Sequence, residues 1–69
     1  MNTDSLTQAQ RIVFLLLIQG KSNADIGKVV HLSEKTVKYH VTSIFKALKC
    51  VSRAQLIARY YMERLERRA

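Results

Sequence analysis

An all-α domain of four short helices is the fold the sequence predicts, and three observations predict it. The 69-residue chain has no proline and only two glycines, and its apolar residues recur at the spacing of helices that each bury one face. Thr7, Ser22, Ser33 and Ser52 each stand just before such a stretch, where a side-chain oxygen can cap the first free N–H groups of a helix. The segment from Ser33 to Lys49 is uninterrupted by glycine or proline and has two unlike faces. A chain of this length forms one small domain, residues 1–69, with a thin core.

Met1 to Ser5 is polar, shows no periodicity and is expected to fray. Thr7 then caps the first helix, Gln10 completes a capping box, and Leu6 is placed to staple the entry. This helix is expected over about 8–19, with Gly20 ending it because glycine accepts positive φ without strain. The second helix is expected over about 22–30, capped by Ser22, with the Asp25 carboxylate near the positive end of its dipole. Ile26, Val29 and Val30 are its apolar stripe. Gly27 costs about 1 kcal/mol relative to alanine inside a helix, so it is read as a point of close backbone approach, by the third helix.

His31-Leu32-Ser33 joins the second helix to the third, and so short a link requires the sharp corner of a helix-turn-helix. His31 falls where positive φ is needed, and histidine is among the residue types enriched there. Leu32 is expected to be the buried pin of the turn, and Ser33 to cap a third helix over about 33–49. Projected at about 100° per residue, Val37, Val41, Ile44 and Leu48 share one side. Lys35, Lys38, Tyr39, Thr42, Lys46 and Lys49 share the other. One face requires a core and the other an anion. Ser52 opens a fourth helix over about 53–67, on which Ala54, Ile57, Ala58, Tyr61 and Leu65 form the expected core stripe, with Leu56 and Tyr60 pointing elsewhere.

Twelve Lys and Arg against five Asp and Glu give a net charge of +7, which points toward a nucleic-acid partner. Cys50 is the lone cysteine, and with His31 and His40 it has no zinc-ligand spacing, so neither a disulfide nor a metal or other cofactor is expected. The longest apolar run, Ile12 to Ile18, has seven residues, against about 20 for a membrane span, and lacks the flanks of a secretory signal. The expected location is the cytoplasm, at the nucleoid. No nucleophile with a base and no carboxylate pair is apparent, so an enzyme is not expected.

Leu6-Thr7, Gly20-Lys21-Ser22-Asn23 with Ile26, Leu32-Ser33 with Thr36-Val37 and His40-Val41, and Ser52-Arg53-Ala54 together carry a family pattern. With these pieces at this spacing, the chain resembles the LuxR/GerE-type helix-turn-helix domain, also called the NarL/FixJ type, of bacterial transcription regulators. The resemblance runs from Leu6 to about Ala58. It implies a four-helix fold whose third helix lies in the major groove of double-stranded DNA, with a fourth helix that often serves in dimerisation on inverted half-sites. It further implies that Lys38, Tyr39 and Thr42 approach base edges. Ala9, Gln10 and Ile12 depart from the Arg, Glu and Glu frequent in that family, and Lys49 stands where glycine is common.

Three further sets complete the expected sites. Lys21, Ser22, Asn23, Ser33, Lys35, Thr36, Lys46 and Lys49 are the phosphate-binding set, because hydroxyls, amides, ammonium groups and helix N-termini do that work. Leu56 and Tyr60 are the candidate homodimer contacts, from their place on the fourth helix. Ile12 and Leu15 are apolar at positions usually polar in the resembled family, and form a candidate patch for RNA polymerase, a regulatory domain or another protein. The alternative reading is a small helical adaptor that acts through this patch, and a nonspecific RNA binder comes third. The sequence suits either a free-standing regulator or the C-terminal domain of a longer one.

Overall fold

The computed structural model describes residues 2–68. The chain is an all-α domain of four helices, α1 (Gln8–Ile18), α2 (Asn23–Val30), α3 (Glu34–Leu48) and α4 (Arg53–Arg68). α1 packs against the other three helices, and α2 packs on α3 to form the helix-turn-helix. Among the described residues, no helix is long and apolar enough to cross a membrane.

Each helix begins where a hydroxyl offers an acceptor. The Gln10 N–H donates to Thr7 Oγ1 at 3.1 Å while the Thr7 N–H donates to Gln10 Oε1 at 3.0 Å, so both arms of the capping box close. Ser22 Oγ accepts from the Asp25 N–H, Ser33 Oγ from the Thr36 N–H and Ser52 Oγ from the Gln55 N–H, all at 3.1 Å. The ends are equally local in origin. Gly20, His31 and Lys49 follow α1, α2 and α3 with φ of 85°, 60° and 56°, the left-handed turn that lets following N–H groups reach the last carbonyls. After α3, the Cys50 N–H donates to the Phe45 carbonyl at 2.9 Å. Within the stretch expected to fray, Asp4 and Ser5 form a turn, closed by the Leu6 N–H on the Thr3 carbonyl at 3.1 Å and held to α1 by the Arg11 guanidinium. Met1 lies outside the described residues.

The core gathers Leu6, then Val13, Phe14, Leu17 and Ile18 of α1, Ile26 of α2, Val37, Val41, Ile44 and Leu48 of α3, Cys50 and Leu56. α3 therefore buries the stripe its periodicity marks. α4 does not. Leu56 is 0% exposed, and Tyr60 is half-buried with its ring edge-on to Phe14 at 5.7 Å between centroids. Tyr61 and Leu65 stand exposed. Of the stripe expected to be core only Ile57 is half-buried while Ala54 and Ala58 are exposed too; Leu56 is unavailable to a second subunit, and Tyr60 is largely engaged within its own chain. The reason is that α4 is oriented by where it docks on α1, a contact to which a helical wheel is blind. Beyond Tyr60 no residue from 61 to 67 is buried.

Two smaller expectations in the turn also change. Leu32 is exposed rather than buried, and its backbone makes the tight contact. The Leu32 N–H donates to the Gly27 carbonyl at 3.0 Å, and a Cβ built on Gly27 would lie 2.5 Å from the Leu32 carbonyl oxygen. Gly27 thus accommodates the turn, with Val37 of α3 only a more distant neighbour at 3.6 Å. Val29, assigned to the apolar stripe of α2, is exposed.

Candidate nucleic-acid interface

α3 turns Lys35, Lys38, Tyr39, Thr42 and Lys46 to solvent, and Lys49 follows at its C-cap. Burying Val37, Val41, Ile44 and Leu48 on one side forces the residues at intervening positions to the other. None of the four lysines forms an ion pair with a carboxylate among the described residues. Tyr39 is 70% exposed. Its ring meets the edge of the His40 ring, with centroids 5.9 Å apart, and a large aromatic surface stays open to solvent. His40 is half-buried.

Thr42 is held in one orientation, its hydroxyl donating to the Lys38 carbonyl one turn back at 3.0 Å. Ser33 and Thr36 are tied together at the helix start, where their hydroxyl oxygens lie 2.9 Å apart and the Thr36 N–H is already capped. The N–H groups of Glu34 and Lys35 remain without an intrahelical partner, as the first turn of any helix requires, and they supply donors beside the Lys35 ammonium group.

At the start of α2, Lys21 and Ser22 are exposed and Asn23 is half-buried. Asn23 Oδ1 accepts from Arg53 Nη2 at 2.5 Å, and the Lys21 carbonyl accepts from Arg53 Nη1 at 3.0 Å. Only the amide N–H₂ of Asn23 is left to face an anion. Arg53 thereby holds the α1–α2 corner from the first turn of α4. Arg59 does the same for the C-terminal end of α3: its Nη1 donates to the Leu48 carbonyl at 2.9 Å and lies 3.2 Å from Cys50 Sγ. The Cys50 thiol is buried.

Sequence reasoning gave neither arginine this positioning role. For Arg53 the acceptors, Asn23 Oδ1 and the Lys21 carbonyl, lie 30 and 32 residues earlier in the chain. Nothing local marks Arg59, whose acceptors are 11 and nine residues earlier in the chain. Among the described residues no group of three or more His, Cys, Asp or Glu comes together as a metal site.

Ile12 and Leu15, 46% and 47% exposed, lie one turn apart on the solvent side of α1. On α4, Tyr61, Met62 and Leu65 are also exposed, and the Tyr61 hydroxyl donates to the Ile18 carbonyl at 3.0 Å.

A profile of the bacterial regulatory proteins of the luxR family (GerE) matches residues 4–60. The chain is 42% identical over 53 residues to a candidate HTH-type transcriptional regulator of Mycobacterium bovis, covering 77% of this chain and 6% of that protein. It is 36% identical over 52 residues to the transcriptional regulatory protein LiaR of Bacillus subtilis, covering 75% and 25%. To the response regulator protein VraR of Staphylococcus aureus it is 35% identical over 54 residues, covering 78% and 26%. The chain thus spans about a quarter or less of the length of these relatives. No solved structure matches it. With its four helices, its helix-turn-helix and its open basic face, the chain belongs to the luxR family of bacterial regulatory proteins as a DNA-binding helix-turn-helix domain.

Proposed function

We propose that this domain binds double-stranded DNA sequence-specifically for transcription regulation, with α3 in the major groove and Lys38, Tyr39 and Thr42 at the base edges. The observation that carries the proposal is the division of α3 into a wholly buried apolar stripe and an opposite face of three lysines, with Lys49 at the C-cap, an open tyrosine and a fixed threonine. Lysine suits guanine acceptors, and threonine suits a thymine methyl or an exocyclic amine. Lys21, Ser22, Asn23, Ser33, Lys35, Thr36, Lys46 and Lys49 contact phosphate and fix register without reading sequence. Arg53 and Arg59 hold the two ends of this surface from α4.

The domain pairs on inverted half-sites. With Leu56 in the core, the side chains of α4 left for a second subunit are Met62 and Leu65, beside Tyr61. So few side chains make a weak contact, so the free domain is monomeric and pairs on DNA. Sedimentation with and without a palindromic duplex tests this. Ile12 and Leu15 are proposed to contact a regulatory domain or RNA polymerase, a reading supported by their exposure and by relatives much longer than this chain. If Ile12→Ser with Leu15→Ser unfolds the domain and changes no association, that contact is excluded.

The deciding measurement for DNA reading is selection from a randomised duplex pool at several salt concentrations. Specific reading enriches a short site, with affinity falling steeply in salt as counterions are released. Lys38→Ala relaxes sequence choice at one position, while Lys46→Ala weakens all duplexes equally. Equal effects of both on every duplex would leave only nonspecific binding.

A further inference from the structure

We propose that Thr42 makes this domain select an A·T base pair through the thymine methyl, about two base pairs from a G·C pair read by Lys38. The proposal deepens the reading given above and rests on α3 lying in the major groove.

A threonine hydroxyl carries one hydrogen and two lone pairs. In Thr42 that hydrogen is already donated, to the Lys38 carbonyl at 3.0 Å, in the back-bond to i−4 open to Ser and Thr within helices. The side chain is exposed and meets a ligand as a methyl group and a hydrogen-bond acceptor, with no donor to spare. Guanine offers two acceptors in the major groove, N7 and O6, and both would be desolvated against a group that cannot donate. An A·T pair also carries two acceptors, adenine N7 and thymine O4, but beside them it offers an N6 amine that donates and, unlike G·C, a C5 methyl for the threonine methyl to meet. Cytosine offers an amine but no methyl, so the methyl is the group that discriminates between the pairs.

Lys38 differs in kind. Its ammonium group has three donors and no acceptor, is exposed and lies one turn before Thr42. Four residues of helix advance about 6 Å, close to two base-pair steps at about 3.4 Å each. One turn of α3 therefore presents a pure donor and then a methyl with an acceptor, complementary to guanine and then to an A·T pair.

The test uses the intact chain. A randomised duplex pool is selected, and the winning duplex is remade with deoxyuridine for the thymine at the Thr42-dependent position, which removes only the methyl. For the native protein, affinity is expected to fall about fourfold, the effect of one lost methyl contact. Thr42→Ser, which lacks the methyl, becomes indifferent to the exchange, whereas Thr42→Val, which keeps a methyl and discards the hydroxyl, stays sensitive to it. A native preference for guanine at that position, or a Thr42→Ser protein as sensitive to deoxyuridine as the native one, overturns the assignment. Lys38→Ala separates the two levels. If it relaxes a G·C position while no Thr42 variant alters any preference, the Thr42 assignment alone fails. If neither changes any preference, α3 is not the reading helix and both readings fall.

Discussion

Truncating Leu56 distinguishes a core residue from a subunit contact. The side chain is 0% exposed and belongs to the same cluster as Phe14, Leu17 and Ile44. Leu→Ala at such a site costs about 2–5 kcal/mol, the transfer of the lost methyl groups plus the cavity left behind. A domain of 69 residues at about 0.05–0.15 kcal/mol per residue has about 3–10 kcal/mol in total. Leu56→Ala therefore removes a large fraction of the stability. With a urea dependence of about 1 kcal/mol per molar for so small a protein, the midpoint should fall by at least about 2 M, followed by far-UV circular dichroism. Leu65→Ala, on the exposed stripe of the same helix, should change stability by no more than about 0.5 kcal/mol. The reasoning is refuted if Leu56→Ala leaves the urea midpoint in place and instead reduces pairing on a palindromic duplex, for then Leu56 would face another chain.

Gly27→Ala should destabilise the domain despite the better helix propensity of alanine, because its Cβ would stand 2.5 Å from the Leu32 carbonyl oxygen. A net loss of up to about 2 kcal/mol in a chemical melt is expected, an overpacking cost of about 1–3 kcal/mol reduced by the propensity gain of about 1 kcal/mol. His31→Gly should act in the opposite direction: His31 sits at φ 60° with its side chain exposed, and removing the Cβ should raise stability by up to about 1 kcal/mol, read from the same melts. Arg53→Ala should cost about 1–3 kcal/mol through two lost charge-assisted hydrogen bonds and speed amide exchange at the α1–α2 corner. Arg53→Lys should restore only part of this, since an ammonium group cannot span both acceptors as the guanidinium fork does.

Much of this domain is local, and what is local was legible in the sequence. Thr7 with Gln10, Ser22, Ser33 and Ser52 mark helix starts because capping needs an oxygen within three residues of the N–H it satisfies. Gly20 and His31 mark ends because positive φ is a property of one residue. The two faces of α3 were equally legible, since its 15 residues bury every apolar position of the stripe and leave the lysines no other place. The inward face of α4 was decided only in the tertiary structure. Its sequence holds two apolar stripes, and which one enters the core depends on Phe14 of α1 and on Arg53 and Arg59 reaching backbone carbonyls at Lys21 and Leu48. The turn contact at Gly27 was misread for the same reason, because its partner, the Leu32 carbonyl, is a backbone atom that side-chain periodicity does not encode. Spacing along a chain reports what a helix offers, and only the packing of neighbours determines which offer is taken.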